Sequence, residues 1–125
     1  MGYIKHECVI TVLYDRDVPE VAEVEELRQA MAAASESLHP RGSGLENWLL
    51  GPARGINGYT TYVFAPDGSK EGWEDSDIAD EFRARFLEIV KRSKWADVVH
   101  LQLGGDDRET RVLFSTDDHA AREGT

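Results

Sequence analysis

The chain has 125 residues, 41% hydrophobic and 30% charged, which excludes a disordered composition and fits one folded domain. Its 24 acidic and 14 basic residues leave a net charge of −10, arguing against duplex nucleic acid or an anionic membrane as partner. The single cysteine excludes an internal disulfide framework and suits a reducing compartment.

From Tyr3 to Tyr14 the sequence alternates Ile4, His6, Cys8, Ile10, Val12 and Tyr14 against Tyr3, Lys5, Glu7, Val9, Thr11 and Leu13. Period two with β-branched enrichment predicts a strand, with the first set facing the core. Asp17 then offers an N-cap, Glu20 stands at capping-box distance, and Pro19 suits a first helical turn. Val21, Val24, Leu27, Met31, Ala34 and Leu38 form one apolar stripe, and the helix should end before Pro40. Two strands follow, Leu45 to Leu50 and Tyr59 to Ala65, with GPARGING between them expected as a long hairpin loop. Pro66, Asp67 and Gly68 predict a turn. A second helix is expected from about Ser76 or Asp77, burying Ile78, Phe82, Phe86, Ile89 and Val90. Val98 to Leu103 should form a further strand with Val99 and Leu101 inward, Thr110 to Phe114 a short edge strand, and 117–125 a polar tail.

The order β-α-β-β-α-β implies a single α+β domain over residues 1–116, a ferredoxin-like open-faced sandwich with a fifth edge strand. An open face carrying Val9 and Leu13 would be an apolar patch suited to a homodimer. No apolar run reaches the roughly 20 residues of a membrane span, and Lys5, His6 and Glu7 break the N-terminus before any signal-type apolar core.

Three blocks carry a resemblance: MGYIKHE at the start, NGYTTYVFAPDGSKEGWEDSD from Asn57 to Asp77, and LGGD from Leu103 to Asp106. In these blocks and their spacing the chain resembles a family of small, uncharacterised actinobacteriophage proteins of the mycobacteriophage type. The resemblance implies a viral protein expressed in the cytoplasm of a bacterial host. It implies no activity.

The chemistry-bearing residues form no established catalytic pattern. GxSxG, GxxxxGK(S/T), GxGxxG and HExxH are all absent, and the four histidines are scattered, so neither cofactor nor metal is expected. Cys8 reads as a buried thiol with no obvious cation to activate it. The acids from Glu71 to Glu81 read as dipole-matching residues at a helix start. Residues 37–70 carry +1, leaving −11 for the rest, and Arg41, Arg54 and Lys70 each lie within two positions of a glycine. Such loops let the backbone approach an anion while a guanidinium grips it. Arg54, Asn57, Tyr59, Lys70, Trp73 and Arg41 are therefore the candidate binding residues, with Trp73 either a hydrophobic staple or a stacking lid. The expected function is non-catalytic binding, of a host protein or a small anionic, nucleotide-type molecule. The alternatives are a small phosphate-ester or acyl-phosphate hydrolase or transferase using Arg54 or Arg41 as its anion clamp, and, more weakly, a virion component.

Overall fold

The computed structural model describes residues 6–14, 16–38, 44–66, 74–104 and 109–116. The elements run β1 (His6–Leu13), α1 (Val18–Leu38), β2 (Leu49–Arg54), β3 (Thr60–Phe64), α2 (Glu74–Lys91), β4 (Asp97–Leu103) and β5 (Arg111–Ser115). Single 3₁₀ turns at Leu45–Trp48 and Ile56–Gly58 lead into β2 and β3. The five strands make one antiparallel sheet in the order β2-β3-β1-β4-β5, so the chain is α+β with the fifth strand present. Tyr3 to Lys5, the turn at Asp67 and Gly68, and the tail 117–125 lie outside the described residues.

Both helices contribute to one core on one sheet face. Val24, Leu27 and Met31 of α1 and Phe82, Phe86, Ile89 and Val90 of α2 pack with Val9, Leu13, Tyr62, Phe64 and Val98. The helical stripes fall where 3.6-residue periodicity places them. The strand faces do not. Val9 and Leu13 are fully buried beneath the helices, whereas Ile10 is 38% exposed and Val12, Val99 and Leu101 are half-buried on the opposite face. The register is unambiguous, with Val9 opposite Phe64, Thr11 opposite Tyr62 and Leu13 opposite Thr60. The cause lies in the side chains: both faces of β1 are apolar, so alternation sorts residues into two sets without saying which set meets the helices. Thr11 joins the inner set because its hydroxyl donates to the Asp97 carbonyl at 3.0 Å. An open-face patch built on Val9 and Leu13 is thereby ruled out.

The second correction concerns GPARGING. Its first four residues are strand, not loop: β2 continues to Arg54, with a register shift between Leu50 and Ala53 and a cis peptide at Gly51-Pro52. Pro52 is tolerated because β2 is an edge strand and a bulge asks for no ladder N–H there. Arg28 on α1 clamps the bulge, Nη1 donating to the Leu49 carbonyl at 2.6 Å and Nη2 to that of Gly51 at 2.7 Å.

Where α1 begins, the Asp17 backbone carbonyl accepts from Val21 at 2.9 Å. The buried Asp17 carboxylate accepts from the Tyr14 backbone N–H at 2.8 Å and from the Ser93 hydroxyl. Ser93 Oγ in turn accepts from the N–H groups of Trp95 and Ala96, both at 3.0 Å. This junction ties the start of α1 to the segment between α2 and β4.

Candidate functional site

The tip of the β2–β3 hairpin lies beside the end of β1, because β3 is the sheet neighbour of β1 and Leu13 pairs with Thr60. Tyr14 therefore meets Tyr59, ring against ring edge-on, with centroids 4.9 Å apart. Asn57 takes a left-handed conformation at φ 62° and turns the hairpin, with Gly58 following at φ 78°. Between this tip and the first turn of α1 lies a cavity of about 460 Å³, lined by Tyr14, Val18, Val21, Arg54, Gly55, Gly58, Tyr59 and Thr60.

The lining combines phenol rings, valine side chains, a threonine hydroxyl, bare glycine backbone and one guanidinium. The Arg54 residue is exposed, and its guanidinium makes no side-chain hydrogen bond or ion pair with another described residue. Its charge is nonetheless felt nearby. Burial opposes ionisation of Glu25, but hydrogen bonds from Arg28 and Tyr62, with the charges of Arg28 and Arg54, hold its carboxyl below the usual 4.5. The Tyr62 hydroxyl donates to Glu25 at 2.7 Å; burial first and this carboxylate second push its phenol well above its ordinary range. Two guanidinium groups thus face one carboxylate, and Arg28 is already committed to Glu25 and the bulge carbonyls. Arg54 is left to meet an incoming anion.

The candidate residues divide cleanly. Arg54 and Tyr59 line the cavity, and Asn57 shapes the turn that carries them without itself lining it. Arg41, Lys70 and Trp73 lie outside the described residues. Sequence reasoning missed Tyr14, Val18 and Val21 as wall residues. Strand order alone brings them to the hairpin, and periodicity within a segment carries no information about strand order.

Two other clusters compete. A groove of about 520 Å³ between the helices is larger, lined by Glu23, Glu26, Leu27, Arg85, Glu88, Ile89 and Arg92. Its charges answer one another, with Arg92 Nη1 2.8 Å from Glu23, and this mixed lining offers no preference for either sign of ligand. Under α2, Glu7 Oε1 lies 2.9 Å from His100 Nε2 and 3.8 Å from Arg83 Nε, and Arg83 also pairs with Asp80. Arg83 is buried, at 5% exposure. These groups satisfy each other between sheet and helix, which is how buried charge is tolerated. Cys8 is buried, and desolvation pushes its thiol up despite the nearby Arg83 charge, which disfavours the reactive thiolate. Among the described residues no cluster of His, Cys, Asp and Glu could hold a metal ion, and no helix is long and apolar enough to cross a membrane.

Comparison of the chain with protein-family models, with curated proteins and with solved structures gave no match to any of them.

Proposed function

We propose that this chain is a small phage accessory protein that works by binding, and that it sequesters a small anionic, nucleotide-type molecule in the host cytoplasm. The observation carrying this reading is Arg54, a guanidinium without a hydrogen-bonded side-chain partner among the described residues, lining a mixed polar and apolar cavity beside Tyr14 and Tyr59. A phosphate would take the guanidinium's paired N–H donors, and a planar base would lie against phenol and valine surface. The cavity's size is within the range of small-molecule sites. Its described lining has hydroxyls and a guanidinium but no carboxylate, imidazole or thiol, which favours holding a ligand over cleaving it. The phage origin rests on the resemblance of the MGYIKHE, APDGSKEGW and LGGD blocks. We also read the fold as the ferredoxin-like split βαβ, supported by the antiparallel order β2-β3-β1-β4 with a helix after β1 and after β3.

The test is calorimetric titration and thermal shift with mononucleotides, cyclic and linear dinucleotides, and the matching unphosphorylated nucleosides. A phosphorylated ligand should raise the melting temperature by several degrees while its nucleoside does not. Arg54→Ala should weaken binding roughly 10- to 100-fold, the worth of a charge-assisted hydrogen-bonded pair. Tyr59→Ala should weaken it by a smaller factor. Loss of a host phenotype through Trp73→Ala alone, with no nucleotide bound by the parent protein, would replace this reading with a protein-docking loop.

A further inference from the structure

The sheet face turned away from the helices is apolar at its centre, with His6, Thr61, Asp97 and Ser115 among the polar residues the registers also place on it. Strand alternation sets Ile10, Val12, Val63, Val99, Leu101 and Leu103 on it, with Leu50 opposite Val63 on one edge strand and Val112 opposite Leu101 on the other. Leu50 is 50% exposed, Val112 56%, Ile10 38% and Leu103 37%. The only carboxylate that the described strands place on this face is Asp97, at the start of β4. In a chain of net charge −10, an apolar surface with one carboxylate at its margin asks for a cover.

Charge distribution and area both point to a second copy as that cover. The two helices, carrying five and six acidic residues, lie on the opposite side of the sheet. Packing two open faces together at about 10 Å would put the helix layers of the two copies about 30 Å apart, several times the roughly 8 Å Debye length at physiological salt. Repulsion between the acidic helices is then screened, and the apolar centres of the two faces meet. The five strands span roughly 24 Å, and their length gives a projected face of about 500 Å² before side-chain relief is counted. Counted over both partners this is about 1,000 Å², the threshold of a specific interface rather than its standard size. We propose that the protein is a homodimer whose two sheets stack through Ile10, Val63, Val99, Leu101 and their neighbours into a four-layer α/β/β/α sandwich. This surface is distinct from the Arg54 cavity, and its existence is independent of any ligand there.

Sedimentation equilibrium of the full-length chain at about 10–100 μM should return twice the 14.0 kDa chain mass. Ile10→Glu and Val112→Glu, both at exposed positions, should each shift the species to monomer while leaving thermal unfolding cooperative. A mixed sample of isotope-labelled and unlabelled chains should give intermolecular methyl contacts among Ile10, Val63, Val99 and Leu101, a measurement that needs no variant. A monomeric parent protein at 100 μM overturns the proposal. So does a dimer that survives both substitutions or whose intermolecular contacts map to the helices or strand edges.

Discussion

Tyr62 and Glu25 form a titrating pair whose two halves act at opposite ends of the pH scale. Burial and the Glu25 carboxylate raise the phenol's ionisation above its usual value near 10. The folded protein therefore keeps a proton that the unfolded chain releases, and this contribution is complete below pH 10 and lost as pH rises beyond it. Glu25 is shifted the other way, so its contribution is present above about pH 4.5 and lost as pH falls through its lowered folded value. Glu20, raised by burial and by Asp17, opposes that acid loss, so the pair is best read from variants. In thermal melts from pH 3 to 11, Tyr62→Phe should flatten the alkaline fall and Glu25→Gln the acid one. Unchanged limbs in both variants would remove the pair from any role in stability. At this scale the sequence was partly legible: Arg54 and Tyr59 stand out by their glycine neighbours, whereas nothing local marks Arg83 as buried or Tyr62 as the partner of Glu25 across 37 residues.

Among the elements, β2 is held in its bent form by one glycine. Gly51 sits at φ +108°, and a Cβ there would lie 2.6 Å from the Thr61 carbonyl oxygen, so both the backbone angle and the space exclude a side chain. Gly51→Ala should cost roughly 1–3 kcal/mol in urea unfolding, with the loss concentrated in the β2–β3 hairpin by hydrogen exchange. A midpoint equal to that of the parent would mean the bulge relaxes freely. The same element explains where sequence reasoning stops. A bulge containing Gly and Pro reads as loop because the residues that break a ladder are the ones that make turns. The helices were legible because a stripe at 3.6-residue spacing has one solution, and the strands of β1 and β4 were legible in existence but not in orientation. Their inner faces include Glu7, His100 and Gln102, which look solvent-facing until Arg83 and the carbonyl of Glu109 are brought to them by the fold.

Taken whole, the molecule crowds much of its negative charge onto two adjacent helices, and only part of it is answered, as by Arg92 against Glu23 and Arg28 against Glu25. Self-repulsion should therefore outweigh exposed ion pairs, each worth little. Raising sodium chloride from about 10 mM to 300 mM should lift the melting temperature by roughly 2–4 °C through screening. A fall would mean that the pairs dominate. The position of β1 has a different consequence, which concerns the order of synthesis. Its two hydrogen-bonding neighbours are β3, beginning at Thr60, and β4, ending at Leu103, so β1 is made before either strand that pairs with it. At about 5–20 residues per second, translation needs roughly 2–9 s after Leu13 before Thr60 exists, and about as long again before Leu103 does. During the first of those intervals β1 has no strand to pair with, and after β3 is made one of its edges stays open until β4 follows.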